Sequence, residues 1–445
     1  MDILPKIKPN KPAFVIVTCD YSGLGWAKLC IDAGYPAILA YEPRDTEENL
    51  AAFAKVGEGI SEKIELGQAV KDPKLKEAYW IWDGNHNSEI AEGLRKKGYK
   101  VFGGHELTDK MEHDRNFGVE LVKKAGLQTP ETKEFNSVAE GIAFLEANED
   151  RAFVFKPDEP DDEAWVTTVP PNDIDQQANQ EMIRFLKAMG EGKGEYILQE
   201  RKRGVEINVE VWLYEGMPFF AHANFECKRK YNRDLGRLIG CAHDIDFTIP
   251  LDCKVIRDTL LKLIKLPEFK GFTGMVDMNL IVADRDYYFL EFCGRFGYNA
   301  HPNLFINLAL DPFPEIMAAF MDGDIGDFYS HFRPGFGASI LMGIDNPVSG
   351  LPFVIALESE KNFFHFDTYQ DGEDIFLAGY AQEVGIICAH DYDLKSAADE
   401  VINQFDKIFY PARSGRTDIN LTNYLTNPWE RWIAAESMKL FDVNL

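Results

Sequence analysis

The segment AFVIVTC at residues 13–19 is the feature that most constrains the fold, because it is a short, uninterrupted apolar run rich in β-branched residues. Such a run is typical of a parallel strand that is buried on both faces. The turn DYSGLG at 20–25 follows it, and then come a helix that ends near Gly34 and a second strand. Segment 78–104 repeats this cycle. Strands that alternate with helices predict a doubly wound parallel sheet over about the first 105 residues.

The pattern changes in the middle of the chain. A helix is predicted over 109–131 with its end at Gly126, and antiparallel strands are predicted at 152–158 and 196–230, with a further hairpin at 274–292. The fold class is therefore predicted as α/β and α+β. Four regions are expected: an N-terminal Rossmann-like domain at 1–108, a second domain at 109–326 with a mobile subdomain at about 132–200, a small α+β domain at 327–420 and a tail at 421–445. The tail is expected to pack on its own chain, and docking on a partner is the alternative.

Composition excludes several classes of protein. Of 445 residues, 45% are apolar and 27% are charged, which is typical of a soluble globular protein. The net charge of −26 argues against nucleic acid as the main partner, because a polyanion repels phosphates. The seven scattered cysteines form no CxxC pair, so reduced thiols in the cytoplasm are expected. Neither a signal peptide nor an apolar run of membrane-spanning length is found, so no membrane partner is expected.

Two carboxylates in the last hairpin suggest a metal site. Asp277 and Glu291 lie on neighbouring strands about equally far from the turn, so they are predicted to pair directly on one face. Carboxylates that close together repel unless a cation lies between them, and oxygen ligands suit Mg²⁺. The alternative is that both residues flank an exposed hairpin.

Other polar residues at strand ends suggest a bound nucleotide. Lys156 ends an apolar strand, where an ammonium group needs an anion such as phosphate, unless its stem merely reaches along a strand edge to solvent. The segment at Gln199 and Glu200 could accept the amino group of adenine, and Glu206 could bind a ribose diol. The alternative is a surface strand with alternating charges.

Two further segments suggest anion binding. The stretch ECKRKYNRDLGRLIG at 226–240 concentrates five basic residues in an acidic chain, which predicts either a loop that holds a small anion or a solvated basic loop. The turn CDYSGLG at 19–25 follows a strand and opens a helix, so its backbone amides could hold a phosphate. It lacks the third glycine of a dinucleotide-binding motif, so an NAD-dependent oxidoreductase has little support.

Taken together and in this order, these segments resemble the ATP-grasp ligases, and among them the phosphoribosylamine–glycine ligases. EFCGRFGYNA is similar to that family's Glu-Phe-Asn-x-Arg-Phe-Gly-Asp-Pro-Glu, and QERKRGVEINV to its Glu-Glu-x-x-x-Gly-Glu-Glu-x-Ser. ECKRKYNRDLGRLIG resembles its Asp-His-Lys-Arg segment, and DGNHNSEIAEGLRKKGYKVFGG its Gly-Pro-Glu-x-Pro-Leu segment. A helix and TDIN near the C-terminus match as well, so the resemblance covers about residues 13–420.

The resemblance implies an ATP-grasp fold behind an N-terminal pre-ATP-grasp domain, and an enzyme of purine biosynthesis type. ATP would activate a carboxylate as an acyl phosphate, and an amine would displace phosphate to form an amide. The cofactors implied are ATP and Mg²⁺, the partners are a small carboxylate and a small amine, and a monomer or homodimer is expected. The residues implied are catalytic Arg295, Lys228 and Arg229; ATP-binding Lys110, Arg115, Lys156, Gln199, Glu200 and Glu206; substrate-binding Ser22, Gly23, Gly25, Asp234 and Asn299; and metal-binding Asp277 and Glu291.

The sequence departs from the family at three places. Residues 158–163, where the family has a glycine-rich loop over the phosphates, contain five carboxylates and no glycine. Cys293 replaces a metal-binding asparagine, although a thiol is a poor ligand for Mg²⁺. Tyr298-Asn299-Ala300 replaces Asp-Pro-Glu, which predicts an altered substrate. A protein of ATP-grasp descent that binds a nucleotide or metabolite without catalysis is the alternative.

Overall fold

The first sheet of the computed structural model is parallel and lies between two layers of helices. The structure describes residues 11–42, 47–157, 168–170, 174–190, 195–283, 286–420 and 427–443. The strands of this sheet are β1 (Phe14–Thr18), β2 (Ala37–Tyr41), β3 (Glu62–Glu65), β4 (Tyr79–Trp82) and β5 (Lys100–Phe102), and the helices are α1 (Gly23–Asp32), α2 (Glu47–Lys55), α3 (Leu66–Ala69) and α4 (Ser88–Lys96). The strand order is β3-β2-β1-β4-β5, with all pairs parallel. The doubly wound sheet predicted from the apolar runs is confirmed.

The next part of the chain forms two helices and a small antiparallel sheet. The elements are α5 (Glu106–His113), α6 (Arg115–Lys124), β6 (Thr132–Phe135), α7 (Val138–Glu146), β7 (Phe153–Pro157), α8 (Asp175–Met189) and β8 (Tyr196–Glu200), with strand order β6-β8-β7. The single helix predicted over 109–131 is wrong, because Asp114 has φ −104° and ψ 89° and interrupts it. The carboxylate of Asp114 accepts a hydrogen bond from the amide of Phe117 at 3.0 Å and caps α6.

A nine-stranded sheet forms the centre of the molecule. Its strands are β9 (Val205–Tyr214), β10 (Met217–Tyr231), β11 (Leu235–Thr248), β12 (Gly274–Ala283), β13 (Asp286–Cys293), β14 (Phe336–Ile344), β16 (Phe363–His365), β19 (Glu383–Asp391) and β21 (Arg413–Gly415). The order is β13-β12-β9-β10-β11-β14-β19-β16, and β21 pairs with β14. The sheet therefore continues across the domain boundary predicted at 326, and the boundaries themselves stay predictions.

The remaining elements cover this sheet. They are a four-stranded sheet of β15 (Pro352–Ile355), β17 (Thr368–Asp371), β18 (Asp374–Leu377) and β20 (Ile408–Phe409), together with α9 (Lys254–Asp258), α10 (Leu260–Leu263), α11 (Ala300–Asn303), α12 (Phe313–Met321), α13 (Leu394–Asp406) and α14 (Pro428–Ser437). Short 3₁₀ turns lie at Pro73–Leu75, Asn232–Asp234, Pro267–Phe269, Phe328–His331 and Leu357–Asn362, and a π-helical turn lies at Leu304–Leu308. No helix in the described ranges combines the length and apolarity needed to cross a membrane.

The described part of the tail, residues 427–443, packs on its own chain. The indole of Trp432 in α14 lies with its centroid 5.0 Å from the ring of Phe247 and 5.2 Å from that of Phe441. Nη1 of Arg431 donates to the backbone carbonyl of Glu226 in β10 at 2.7 Å. This helix therefore stabilises the central sheet directly.

The two faces of the central sheet differ in chemistry. One face is apolar and belongs to the main core, with buried residues that include Val209, Phe225 and Met278. The opposite face carries polar residues at alternate positions over part of β9, β10, β11 and β12, because successive side chains of a strand point to opposite faces. These polar residues are Glu206, Asn208, Glu210, His222, Asn224, Glu226, Asp244, Asp246, Asp277 and Asn279. This polar face carries the candidate site.

Helix α1 packs closely against strand β16 of the central sheet through a glycine. A Cβ atom on Gly25 would overlap the ring of Phe364 in β16, well inside van der Waals contact. Gly23 is similarly close to Thr18, at 2.7 Å. Both glycines thus permit packing between elements.

Replacing Gly25 by alanine should lower the free energy of unfolding by about 1–3 kcal/mol, because the added methyl group overpacks the contact with Phe364. Urea denaturation measures the change. Gly93→Ala in α4 is the matched control, since no atom lies within 4 Å of the position that its methyl group would occupy; it should be neutral or stabilise by about 0.5–1 kcal/mol. Equal stability of the two variants would contradict the packing role.

Candidate active site

Three carboxylates converge on one ammonium group at the polar face of the sheet. Nζ of Lys228 in β10 donates to Oε1 of Glu291 at 2.6 Å and lies 3.6 Å from Oε1 of Glu206 and 3.8 Å from Oε2 of Glu226. The charge of Lys228 lowers the pKa of Glu291 to about 2. The predicted residues Lys228, Glu206 and Glu291 are therefore brought together, and Glu226 joins them.

Lys156 lies within electrostatic reach of this cluster. Burial lowers the pKa of its ammonium to about 8, against the opposing charges of Glu291 and Glu206, and the nearby Arg115 and Lys228 lower it further. Lys156 lies one residue before the end of β7 and Arg115 begins α6, so the group is assembled from five different elements. A concentration of cations and carboxylates in one place can hold a phosphate chain and its metal ion.

The hairpin register differs from the one predicted. Asn279, not Asp277, lies opposite Glu291, and Asp277 lies opposite Cys293. Two features cause the difference: the strands pair from Ala283 and Asp286 onward, which already displaces the register by one residue, and a register shift between Asn279 and Leu280 displaces it by one more. The predicted direct pair of Asp277 and Glu291 is therefore wrong, although both side chains remain on one face.

The cluster has the donor set that Mg²⁺ requires. Three carboxylates surround the ammonium group of Lys228, and a metal ion could take its place if Lys228 moved away. The buried Oδ1 of Asn279 has no hydrogen-bond partner among the described residues. Carboxylate and amide oxygens are the ligands that hard divalent cations prefer. Oδ2 of Asp277 accepts from Nδ2 of Asn208 at 2.5 Å, and burial with the nearby charge of Glu210 raises its pKa well above the usual value.

The other predicted ATP-binding residues have different neighbours. Nζ of Lys110 lies 4.2 Å from the ring centroid of Phe117. Nε2 of Gln199 donates to Oγ1 of Thr132 at 3.1 Å. The carboxylate of Glu200 pairs with Lys202 at 2.9 Å and with an arginine at 3.3 Å. Their roles with ATP stay predictions.

The basic segment at 226–240 is not a loop, contrary to prediction. It forms the ends of β10 and β11 around a short turn, because the two strands continue to pair as far as Tyr231 and Leu235. Nη1 of Arg229 donates to the carbonyl of Gly236 at 2.9 Å. Asp234 accepts from Nη2 of Arg416 at 2.7 Å.

A cavity of about 150 Å³ opens beside the first sheet, and it contains two of the predicted residues. Oγ of Ser22 donates to Oδ2 of Asp83 at 2.6 Å, and Nε of Arg295 donates to Oε1 of Glu112 at 3.2 Å. Gly23 and Gly25 do not line this cavity. The cavity lies where the loops after β1, β4 and β13 meet.

Asn299 belongs to a deeper part of the polar face. Its Nδ2 donates to Oγ of Ser339 at 2.9 Å, and the side chain is 1% exposed. Nearby, Oε1 of Glu210 accepts from three donors, Nε1 of Trp212 at 2.5 Å, Nε2 of His222 at 2.9 Å and Nε2 of His301 at 3.2 Å. Both carboxylate oxygens of Asp246 lie 3.2 Å from Nδ1 of His222.

Glu210, His222 and His301 have the spacing of a metal site, with ligand atoms within 4.8 Å of one another. The hydrogen bonds favour a proton network instead. The amide of Gly297 donates to Nδ1 of His301 at 2.8 Å, so the ring proton of His301 lies on Nε2, which faces Glu210. A nitrogen that carries a proton cannot bind a metal ion.

The sequence contains a signal for these residues that single segments do not reveal. The segments VEINVE, AHANFE and VDMN alternate apolar and polar residues, and AHDIDF does so from Asp244 onward; these polar residues, apart from His243, fall on the same face. In one strand such alternation indicates surface exposure, but four neighbouring strands with the same alternation indicate one continuous polar face. Asp20 and Asp83 in the cavity carry no comparable signal.

Comparison with known proteins identifies the fold. No family model matches the chain. A phosphoribosylamine–glycine ligase of Lactococcus lactis is 22% identical over 214 residues, so the match spans 47% of this chain and 50% of that curated relative. The structure of phosphoribosylamine–glycine ligase from Thermotoga maritima has a TM-score of 0.65 at 16% identity, and the match covers 91% of this chain and 99% of that one.

A second solved structure extends the likeness. The biotin carboxylase domain dimer of 2-oxoglutarate carboxylase from Hydrogenobacter thermophilus, in complex with MgADP and bicarbonate, has a TM-score of 0.59 at 13% identity. That match covers 97% of this chain and 99% of that one. The chain therefore has the ATP-grasp fold. Within that fold it resembles the phosphoribosylamine–glycine ligases, from which it has diverged.

Removing His222 should destabilise the folded protein strongly. Despite burial, Asp246 and Glu210 raise the pKa of His222 well above its usual value. His222→Gln should therefore lower the free energy of unfolding by about 3–5 kcal/mol, because it leaves two buried carboxylates without a charged partner. The stabilisation should be complete below the unfolded pKa of about 6.5 and decline as the pH rises through the folded pKa.

Urea denaturation at several pH values measures this effect. His331→Gln is the matched control, because His331 pairs with Asp311 at 2.7 Å on the exposed surface. That change should cost about 0–1 kcal/mol. If His222→Gln were as stable as His331→Gln at pH 6, the charge of His222 would not stabilise the fold through Glu210 and Asp246.

Proposed function

We propose that the protein is an ATP-dependent carboxylate–amine ligase that forms a C–N bond and has an altered substrate. The observation that carries this proposal is the convergence of Lys156, Arg115, Glu206, Lys228 and Glu291 from five elements at one edge of an ATP-grasp fold. A ligase of this type needs cations for the phosphates and carboxylates for the metal, and both are present here.

The reaction assigns a role to each group. A carboxylate oxygen of the first substrate attacks the γ-phosphorus of ATP and ADP leaves; the amine, once its ammonium form has lost a proton to solvent, attacks the acyl carbon, and phosphate and a second proton leave. Lys156 and Lys228 hold phosphate oxygens and offset their charge as it shifts to ADP. Mg²⁺ at Glu291, Glu206, Glu226 and Asn279 would supply further charge neutralisation. In this reaction Lys228 exchanges its carboxylate partners for phosphate.

The finer predictions belong to this proposal. The substrates are a small carboxylate and a small amine, the protein is a monomer or homodimer, and it acts in the cytoplasm. The named relative suggests a reaction of purine biosynthesis type, but Tyr298, Asn299 and Ala300 stand where that family has Asp-Pro-Glu. The five carboxylates at 158–163 lie outside the described residues, and their effect on turnover stays a prediction.

A screen for ADP release across amino acids and small amines, with ATP and Mg²⁺, tests the function. ADP should be released only when both the acid and the amine are present. Lys156→Ala and Glu291→Gln should each lower the rate by about a hundredfold or more, because each removes a charge that the transition state needs.

The control for that screen is Glu62→Gln on the exposed edge of the first sheet, which should keep the full rate. Nucleotide-dependent thermal stabilisation without ADP release in any pair would favour the non-catalytic alternative. An unchanged rate in Glu291→Gln would show that the metal and phosphate groups are held elsewhere.

Nucleotide binding should be coupled to proton uptake by Lys156. Its pKa of about 8 in the free protein should rise when a phosphate lies beside it, so binding should take up part of a proton between about pH 8 and 9.5 and none at pH 6.5. Calorimetry of ATP binding in two buffers with different protonation enthalpies measures the uptake. Lys156→Met should abolish it, whereas Lys97→Met on the exposed end of α4 should not; equal uptake in both variants would exclude Lys156 as the phosphate ligand.

A further inference from the structure

The 150 Å³ cavity beside the first sheet carries a charge pattern that identifies what it can hold. Two carboxylates face it from neighbouring strand ends, Asp20 after β1 and Asp83 after β4. Asp20 accepts hydrogen bonds from the amide of Ser22 at 2.7 Å and from the hydroxyl of Tyr298 at 3.2 Å. Asp83 accepts from the hydroxyl of Ser22 at 2.6 Å. These bonds fix both acids at the wall of the cavity.

The positive charge beside these acids is already paired. Arg295 supplies the one guanidinium or ammonium group among the described residues that line the cavity. Its Nε donates to Glu112 at 3.2 Å and its Nη1 donates to the carbonyl of Phe296 at 3.2 Å. The cavity therefore has a net negative charge from Asp20 and Asp83 when Asp83 is ionised, and the imidazole of His86 and the thiol of Cys19 complete its titratable lining.

Aromatic rings form the rest of the wall. The ring centroid of Trp26 lies 4.6 Å from those of Phe296 and Phe364, and the ring of Tyr298 packs edge-on against Phe366 at 5.9 Å. Aromatic faces attract organic cations and bury their carbon atoms. Carboxylates among aromatic rings form a site for a small organic ammonium ion.

We propose that this cavity binds the amine substrate in its ammonium form, paired with Asp20 and Asp83, and that it rejects phosphorylated amines. The inference rests on the proposed function only in identifying the ammonium as the second substrate. A phosphate in this cavity would lie beside two carboxylates, and that repulsion has no compensating free cation among the described lining residues. The substrate class therefore differs from the phosphoribosylamine that the relative's name specifies.

The protonation of Asp83 supports this chemistry. Burial, together with the charge of Asp20, raises the pKa of Asp83 to about 7, against hydrogen bonds from Ser22 and Thr18 and the charge of Arg295. An ammonium ion that replaces this proton restores the charge balance of the buried acid. Amine affinity should therefore increase as the pH rises from 6 to 8.

Calorimetric titration of the full chain at constant ionic strength, with ethanolamine, propylamine and 1,4-diaminobutane, tests the inference. O-phosphoethanolamine and ethylene glycol are the matched comparators, because they share the ethanolamine skeleton but add a phosphate or lack the amine. At least one amine should bind at least tenfold more tightly than both comparators. Asp20→Asn and Asp83→Asn should each weaken that binding about tenfold or more, and Asp83→Asn should also remove its pH dependence.

Asp32→Asn is the matched control, since Asp32 lies exposed on α1 and pairs only with Lys28 among the contacts described. It should bind amines as tightly as the unchanged protein does. This control distinguishes binding in the cavity from nonspecific attraction of amines to surface carboxylates. Melting temperatures measured without ligand show whether each variant folds. If a variant does not fold, the comparison of the amines with O-phosphoethanolamine and ethylene glycol on the unchanged protein still tests the inference.

The inference would be overturned if O-phosphoethanolamine bound as tightly as ethanolamine, or if none of the three amines bound. It would also be overturned if Asp20→Asn and Asp83→Asn folded and kept the amine affinity of the unchanged protein. Failure of the ligase function would show differently. Amines would then bind and depend on Asp20 and Asp83, while no acid and amine pair released ADP.

Discussion

Compensation of buried charge along the polar face of the central sheet is the constraint on which the rest of the structure depends. Glu210 and Asp246 are nearly inaccessible to water, and His222 between them supplies the positive charge and the donors that they require. Leaving either carboxylate without that partner would cost several kcal/mol. Because the charges of these acids are compensated, α11 can pack on this face through His301, and the loop before it can place Arg295 at the cavity.

The same face changes character towards its open edge. There Lys228 is surrounded by carboxylates that water also reaches, and Glu291 is 57% exposed. Charges at such a position can exchange partners at low cost, since solvent replaces the interactions that are lost. One sheet thus has two regions. In the buried region around His222, hydrogen bonds fix the charged groups in place, and in the solvent-accessible region around Lys228 the ion pairs can rearrange. The proposed chemistry uses the outer region, and the deep region holds it in place.

The sequence predicted those features that depend on patterns within one segment. The run at 13–19 was sufficient for β1, and five motifs in order were sufficient for the ATP-grasp fold. The break at Asp114 depends on a single capping bond, and the pairing of Glu291 with Asn279 depends on one local register shift. Neither leaves a periodic signal. The cavity acids were not predicted, because Asp20 and Asp83 are more than sixty residues apart and meet only when β1 and β4 pair.

The last helix has a consequence for the reaction centre. Arg431 is bonded to the main-chain carbonyl of Glu226, while the side chain of Glu226 borders Lys228 on the other side of the same strand. The tail helix thus contacts the backbone of β10 at the residue whose side chain belongs to the charge cluster. Substitutions in the last helix can therefore alter the position of the charge cluster, because Arg431 bonds to the peptide group of the residue whose side chain lies beside Lys228.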